Sequence, residues 1–328
     1  MFQKESIKKI IYHSFLFFFI IFFISILKPE SVHAEIASGT APNNCPWVIT
    51  DDGELIIGEN NQTKTLGPFG GATSGVPWYN YRESITKVTF QGTVKGSGNL
   101  DYIFNNCKNL QSLSGTFDTS DVTNMQYAFE ECNSLTDIHI LENWDTHNMR
   151  SFRSFFNGCT SLTDISVIAN WNTDNLTNMR YMLNNCPLLT DISPLEHFNT
   201  SKVTDMTSLF AGCSSLTNLD ATANWNTEKV TSFYNLCREC TALADISGLA
   251  NWNTGNVKNF GYIFYNCPAI TNLDALAAWN TSNVNNLYYA FSGCTGITNV
   301  NALAGWDTSS VTGMSNVFSY CSSLADIN

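Results

Sequence analysis

The chain has 328 residues, with 28 acidic and 16 basic side chains and a formal net charge of −12 at pH 7. Binding to nucleic acids or to anionic lipid surfaces depends on basic side chains that neutralise phosphates, so this balance argues against both kinds of partner. The length would suggest two globular domains, unless the chain is built from repeats.

The first 34 residues have the pattern of a secretory signal peptide. Lys4 and Lys8 form a basic start, residues 15–27 are almost all apolar, and residues 32–34 (VHA) resemble a cleavage site. The apolar run is shorter than the roughly 20 residues of a membrane span, although an uncleaved anchor stays an alternative. We predict a signal peptide over 1–34 and a secreted or surface-associated extracellular protein without a stable membrane span. Cleavage of the signal peptide would remove four Lys and two Glu, which leaves 12 basic and 26 acidic side chains in the mature chain.

The pattern of apolar and turn residues over 35–98 predicts a small β-rich N-terminal cap. Residues 47–50 and 55–57 are apolar runs separated by an Asp-Asp-Gly turn, which is the pattern of a β-hairpin. Residues 85–90 have the composition of a further strand. Glycines and prolines between residues 67 and 77 indicate an irregular loop.

From residue 99 onward the chain repeats, and each repeat is marked by a cysteine at the same position; the first spacing between these cysteines is 25 residues and every later one is 27. The nine repeat cysteines are Cys107, Cys132, Cys159, Cys186, Cys213, Cys240, Cys267, Cys294 and Cys321. Positions within each repeat are numbered from its repeat cysteine, which is position 0. A fixed period of this length over nine copies indicates an array of stacked repeats.

The apolar positions predict the secondary structure of each repeat. Apolar residues at positions −10, −7, −4, −3 and 0 fit the core stripe of an amphipathic helix. The Leu-x-x-Ile pattern that follows the cysteine suggests a short strand, and Asn or Asp after the aromatic residue at position +12 suggests a turn. We therefore predict an α/β, leucine-rich-repeat-like curved solenoid with one short strand and one short helix per repeat. Strands would line the concave side and helices the convex side, over residues 99–328, as eight to nine repeats without an evident C-terminal cap.

These columns resemble a known family. The runs W-D-T-S-S-V-T-G-M at residues 306–314 and C-S-S-L at residues 321–324 resemble the bacterial surface protein repeat of BspA-type leucine-rich repeat proteins. The segment with Cys-Pro-Trp at residues 45–47 is similar to the part that precedes these repeats. The resemblance implies a leucine-rich-repeat-like protein on or outside a bacterial cell, and some relatives act as adhesins. It implies no catalytic residues, because the family shares none.

Two columns of side chains are candidates for binding. Position −5 holds Tyr102, Tyr127, Tyr181, Tyr262 and Tyr289. These tyrosines could anchor an extracellular protein or a glycan, or they could pack between neighbouring helices. Position +5 holds Asp137, Asp164, Asp191 and Asp245, among others. These carboxylates would form a solvated acidic face on the concave side, which we favour over a calcium site because no known ligand loop is present.

No catalytic residues, metal ligands or cofactors are predicted. After the signal peptide only His139, His147 and His197 remain, at scattered positions, and neither a nucleophile motif nor a phosphate loop is present. Cys237 and Cys240 form a C-x-x-C pair, but Cys237 falls in a column occupied elsewhere by phenylalanine and is interpreted as core. The repeat cysteines are interpreted as buried free thiols, with disulfides as the alternative. The favoured function is a binding or adhesion module, and the alternative is a glycan-acting or cell-wall-associated enzyme.

Overall fold

The computed structural model describes residues 33–325, so residues 1–32 of the predicted signal peptide and the last three residues lie outside the described part. Five strands form one sheet in the order β1-β2-β3-β4-β5. Their bounds are β1 Glu35–Ala41, β2 Cys45–Thr50, β3 Glu54–Leu66, β4 Lys87–Asn99 and β5 Ser112–Asn124.

The predicted hairpin is confirmed. Strands β2 and β3 pair antiparallel, with Trp47 opposite Ile57 and Ile49 opposite Leu55. The predicted strand at residues 85–90 corresponds to the start of β4, which pairs parallel with β3. Strand β5 also pairs parallel with β4, so the ladder continues across the predicted boundary between cap and repeats at residue 98.

The prediction of one helix per repeat, and with it the α/β class, is wrong. No α-helix occurs among residues 33–325. Beyond β5 the pairing between repeats is reduced to isolated parallel bridges, such as Asn218 with Asp245 and Asn259 with Asn286. Short 3₁₀ helices follow the predicted strand position, at His139–Asn143, Ser166–Ile168, Ser193–Leu195, Asp220–Thr222, Ser247–Leu249, Asp274–Leu276 and Asn301–Leu303. Three more lie before the repeats, at Pro42–Asn44, Thr73–Gly75 and Tyr79–Tyr81.

Alternating backbone hydrogen bonds replace the predicted helix. The N–H groups of Ser154 and Phe156 donate to the carbonyls of Arg180 and Met182 in the next repeat, at 2.8 and 2.9 Å. The N–H of Cys159 instead closes a turn on the carbonyl of Phe156 at 3.1 Å. An α-helix would direct all of these N–H groups to carbonyls four residues earlier in the same repeat. The segment is therefore a series of tight turns tied to its neighbour.

Left-handed backbone conformations interrupt this segment at positions −5 and −1. Tyr181 has a φ of 58° and Asn185 a φ of 57°, and the same positions are left-handed in the other repeats. Such residues occur singly and cannot continue a right-handed helix. The five apolar positions still face the core, because each tight turn brings the chain back to the same side.

Repeat spacing explains why a helix is excluded. Direct backbone hydrogen bonds hold neighbouring segments about 5 Å apart, as in a sheet, whereas an α-helix with its side chains needs about 10 Å. The aromatic rings in the core agree with the shorter spacing, since Phe129 and Phe156 lie 5.8 Å apart between centroids. Phe264 and Phe291 have the same separation.

The recurring columns form the core, as the sequence predicts. The position +12 aromatic residues from Trp144 to Trp279 are all buried, and so is Cys237. Side chains also tie the repeats together: the indole N–H of Trp252 donates to the carbonyl of Thr222 at 3.0 Å. The Thr254 hydroxyl donates to the carbonyl of Asn280 at 2.9 Å. The scaffold residues are thus engaged within the protein.

The cysteines form a ladder of buried thiols. All eleven cysteines are buried and unpaired. The Cys159 thiol donates to the carbonyl of Phe129 in the preceding repeat at 3.1 Å, and the Cys186 thiol donates likewise to Phe156 at 3.2 Å. Burial raises the pKa of Cys107 and of Cys294 to about 12. The reactive thiolate is therefore scarce at neutral pH.

We expect the folded protein to resist thiol reagents. In native buffer at pH 8, Ellman's reagent should label none of the eleven cysteines over an hour, and in concentrated guanidinium chloride it should label all eleven. Intact-mass measurement after alkylation in denaturant, with and without prior reduction, provides the control. Masses that reveal disulfides before reduction would contradict the free-thiol ladder.

Residues 33–325 include no helix that is long and apolar enough to span a bilayer.

Candidate functional site

The tyrosines at position −5 are partly exposed and also contact one another. Tyr102, Tyr127, Tyr181, Tyr262 and Tyr289 are all half-buried. The rings of Tyr102 and Tyr127 stack at 4.5 Å, and those of Tyr262 and Tyr289 stack at 5.1 Å. The tyrosines thus pack against one another without helices, and each ring still presents part of its surface to solvent. Ligand binding by these tyrosines stays a prediction.

Their backbone conformation positions these tyrosines on the surface. Each of the five has a φ between 56° and 66°. At position −5 the N–H also donates to the next repeat, as in the 2.9 Å bond from Tyr181 to the carbonyl of Thr207. The left-handed turn directs the side chain away from the core columns on either side of it.

Arginines lie beside the tyrosines. Arg153 lies over the ring of Tyr127 at 5.3 Å from its centroid, and Arg180 lies over Tyr181 at 4.9 Å. The Arg180 guanidinium also donates to the Tyr181 hydroxyl at 3.2 Å. Cation–π contacts of this kind hold a guanidinium in place while leaving part of it free for other groups.

We use the name tyrosine face for the surface formed by positions −6, −5, −2 and −1 of the repeats. It contains nine of the twelve tyrosines of the chain and three arginines. The tyrosines are Tyr102, Tyr127, Tyr181, Tyr234, Tyr262, Tyr265, Tyr288, Tyr289 and Tyr320, and the arginines are Arg153, Arg180 and Arg238. Tyrosine and arginine are among the residue types that dominate binding energies at protein surfaces.

Burial raises the pKa of three phenols on this face, those of Tyr127, Tyr262 and Tyr289. For Tyr127, burial is the largest cause of the raised pKa, and the nearby Tyr102 and Glu130 add to it. Burial followed by the nearby phenols also raises the pKa of Tyr262. The charged side chains on the face are its arginines and a few acidic residues, such as Glu239, which pairs with Arg238 at 2.9 Å.

The aspartates at position +5 form turns with their own backbone. Asp164 accepts hydrogen bonds from the N–H and the hydroxyl of Ser166, at 2.7 and 3.1 Å. Asp191 does the same with Ser193, and Asp245 accepts from the N–H of Ser247 at 2.8 Å. Each bond closes the turn that leads into a 3₁₀ helix. Both carboxylate oxygens of Asp164 and Asp191, and one of Asp245, are thus already engaged.

The fourth aspartate of this column, Asp137, has an additional partner. It accepts from the N–H of His139 at 3.1 Å and pairs with the His139 ring. The side-chain hydrogen bond from His139 is the largest cause that lowers the pKa of Asp137 and, in return, raises the pKa of His139. Asp137, like the other three, is thus occupied locally.

Charge at position +5 is not needed for this turn. Asn218 and Asn272 occupy the same position in other repeats and accept the same N–H bond, at 3.2 and 2.6 Å.

We expect Asp164→Asn to change the free energy of unfolding by less than about 0.5 kcal/mol, and Asp164→Ala to lower it by about 1 kcal/mol through loss of the turn bond. Urea denaturation of the two variants measures both. Equal losses in the two variants would show that the charge matters.

One group of three side chains within residues 33–325 has the spacing of metal ligands. It consists of His33, Asp51 and Asp52, all of them exposed. The His33 ring pairs with the two carboxylates at 3.1 and 3.3 Å. This is the geometry of surface ion pairs, and the group lies at the start of the described chain, distant in sequence from the repeats.

The arginines and four of the nine tyrosines were missed by the sequence prediction. Tyr234 and Tyr288 stand at position −6, Tyr265 at position −2 and Tyr320 at position −1. These positions vary more between repeats than position −5, so they give no regular column. The signal was nevertheless present, since aromatic and basic residues concentrate at these positions and are absent from position +5.

A family model matches most of the chain. The family model described as "Mycoplasma protein of unknown function, DUF285" matches residues 98–192, 189–299 and 239–328, which together span more than two thirds of the chain. No curated protein matches the chain.

Among solved structures, the chain is similar to bacterial leucine-rich repeat proteins. A leucine-rich cell surface protein from Faecalibacterium prausnitzii A2-165 is 18% identical, with 89% of this chain and 94% of that chain covered and a TM-score of 0.39. A leucine-rich repeat protein from Bacteroides ovatus ATCC 8483 is 14% identical, with 90% and 81% covered and a TM-score of 0.35. The leucine-rich repeat protein of T. pallidum is 16% identical, with 71% and 83% covered and a TM-score of 0.29.

Proposed function

We propose that this chain, which belongs to the family described as Mycoplasma protein of unknown function, DUF285, is a non-enzymatic binding module that acts outside the cell. The ligand is an extracellular protein or glycan, bound at the tyrosine face. The predicted signal peptide supports the location. The observation that carries the binding role is the concentration of nine of the twelve tyrosines on this one face.

The proposal takes the repeats as successive turns of one curved solenoid. In this arrangement each repeat adds one strip to the tyrosine face, and the face grows with the number of repeats. Stacked rings such as Tyr102 and Tyr127 lose little conformational freedom when a ligand binds, because their neighbours already hold them. Rigid aromatic side chains of this kind are favourable anchors.

Catalysis is not part of the proposal. The acidic residues that could act as acid and base, such as Asp164 and Asp191, accept hydrogen bonds from their own turns and repeat regularly. A catalytic centre requires carboxylates with different environments, so that one stays protonated while the other is ionised. The regular turn bonds instead support a structural role for these residues.

The test is a binding screen of the mature protein against immobilised extracellular matrix proteins and an oligosaccharide array. We expect saturable binding to at least one member, without release of a cleaved product. Tyr127→Ala combined with Arg153→Ala should weaken the binding by at least about tenfold, since anchor residues each contribute more than 1 kcal/mol. Asp164→Asn is the matched control and should bind as the unmodified protein does.

Two results would overturn the proposal. One is the absence of binding to every member of the screen. The other is release of a product from a glycan, lost on replacement of Asp164 or Asp191, which would favour the enzyme alternative.

A further inference from the structure

A glycine interrupts the tyrosine face between two tyrosines. Position −6 of three consecutive repeats holds Tyr234, Gly261 and Tyr288. A Cβ atom at Gly261 would lie 3.0 Å from Asn286 Nδ2 and 3.2 Å from Tyr234 Cδ2, closer than ordinary packing. A side chain at Gly261 would therefore press against Asn286 and Tyr234, two residues that line a space on the tyrosine face. Gly313 also lines this space, and a Cβ there would lie 3.1 Å from Asn286 Oδ1.

The space is a shallow cleft of about 550 Å³. Tyr234 and Tyr262 meet edge to face at 5.7 Å, and Tyr262 and Tyr288 are tilted by 54° at 5.9 Å. Rings that meet at such angles do not cover one another as parallel rings do. Tyr288 is 38% exposed. The cleft thus has aromatic walls with accessible faces.

Polar groups with free hydrogen-bonding capacity lie beside these rings. Asn286 Oδ1 accepts from the N–H of Tyr288 at 2.9 Å, which fixes the orientation of the amide. Its Nδ2 group has no hydrogen-bond partner within residues 33–325 and is free to donate. The Thr312 hydroxyl donates to the carbonyl of Asn285 at 3.2 Å and can still accept. The cleft offers a fixed donor and an acceptor next to apolar ring faces.

The lining restricts the chemistry of the ligand. Among the described residues, no charged side chain lines the cleft. Its size is in the range of small-ligand sites, about 300–1,000 Å³, whereas a stable protein partner covers about 800 Å² on each side. A sugar ring has an apolar face of C–H groups and a rim of hydroxyls that both donate and accept. This combination matches ring faces flanked by an amide and a hydroxyl.

We infer that the cleft between Tyr234 and Tyr288 binds one or two residues of a neutral saccharide. The inference rests on the proposed function, since it assigns a ligand class to part of the tyrosine face. Tyr288 provides the ring on which the sugar stacks, and Asn286 and Thr312 orient its hydroxyls.

Calorimetric titration of the mature protein tests this assignment. The probes are lactose, cellobiose, maltose and N,N′-diacetylchitobiose as neutral disaccharides, and an unsaturated heparin disaccharide as the anionic comparison. We expect at least one neutral probe to bind at millimolar concentration or below, and the anionic probe to bind more weakly.

Two variants locate the binding. Gly261→Thr presses against the cleft residues Tyr234 and Asn286 with the side chain that Thr207 has at the same position of another repeat. Tyr288→Ala removes the stacking ring. Each should weaken binding by at least about tenfold, the effect typical of losing an aromatic platform. Tyr81→Ala removes a tyrosine that is 39% exposed but lies outside the tyrosine face, so it is the control and should leave the affinity unchanged. Thermal melts verify that all variants fold.

Absence of binding by all four neutral probes overturns the assignment, as does equal or tighter binding of the heparin disaccharide. Unchanged affinity in the folded Tyr288→Ala variant also overturns it. If the saccharide titrations fail while the Tyr127 and Arg153 variant still loses binding to a matrix protein, only the saccharide assignment fails. If that binding is absent as well, the proposed function fails with it.

Discussion

Replacing Phe156 with alanine is expected to lower the free energy of unfolding by about 3–5 kcal/mol. The side chain is fully buried at position −3, with its ring 5.8 Å from that of Phe129 and 4.7 Å from that of Phe155. Removal of the ring leaves a cavity between two repeats. That cavity cannot collapse easily, because the backbone on both sides is fixed by inter-repeat hydrogen bonds such as the 2.9 Å bond from Phe156 to Met182.

Equilibrium urea denaturation followed by circular dichroism measures this loss. Leu188→Ala is the matched control, since Leu188 belongs to the next repeat and is 50% exposed. Its effect should stay within about 0.5 kcal/mol, as for most surface substitutions. A loss below about 1 kcal/mol for Phe156→Ala would mean that this column is not a tightly packed core.

Replacing Ser208 with proline is expected to lower the free energy of unfolding by at least about 3 kcal/mol. Ser208 stands at position −5 with a φ of 55°, which the proline ring cannot adopt. Its N–H donates to the carbonyl of Tyr234 at 2.8 Å, and proline has no N–H to make this bond. The substitution therefore breaks both the left-handed turn and the link to the next repeat.

A second substitution at this position, Ser208→Gly, distinguishes the turn structure from the predicted helix, because the two predict opposite signs for its effect on the free energy of unfolding. Glycine adopts a left-handed backbone without strain, and Ser208→Gly also removes a buried hydroxyl that has no hydrogen-bond partner within residues 33–325. We expect this variant to be as stable as the unmodified protein or more stable by up to about 1 kcal/mol. If position −5 were inside a helix, Ser208→Gly would instead lower the free energy of unfolding by on the order of 0.5 kcal/mol.

Thermal and urea denaturation of both variants provide the measurement. Ala275→Pro is the control for proline itself, because Pro194 occupies the corresponding position +8 in another repeat. The Ala275→Pro substitution should lower the free energy of unfolding by less than about 1 kcal/mol. A destabilised Ser208→Gly variant together with a tolerated Ser208→Pro variant would contradict the observed backbone.

Periodicity made the core predictable. The 27-residue spacing identified most of the buried columns, including the cysteines, the position +12 aromatic residues and the column of Cys237. It did not identify the buried column at position +9, which holds Leu141, Ile168, Leu195, Leu249 and Leu276. It also located the hairpin of β2 and β3, where alternating apolar residues flank an Asp-Asp-Gly turn. These features depend on which side chains are apolar and how far apart they stand, and both are explicit in a sequence.

The candidate site was only partly predictable. Position −5 repeats tyrosine often enough to form a column, and its five tyrosines are half-buried on one surface. The neighbouring Arg153 and Arg180, and the cleft beside Tyr288, follow no column, because a surface position need not repeat from one turn to the next. The aspartates at position +5 do form a column, yet their regularity reflects a turn bond to the backbone, as between Asp164 and Ser166.

By itself the sequence determined that the chain is an array of stacked units and which face of each unit is buried. It did not determine the path of the backbone between buried positions. A spacing of three and four residues fits an amphipathic helix, and it fits equally a run of tight turns with left-handed residues at positions −5 and −1. Only the tertiary structure decided between them, because the N–H groups of one repeat bond to the carbonyls of the next. At the resulting spacing of about 5 Å there is no room for a helix in each repeat.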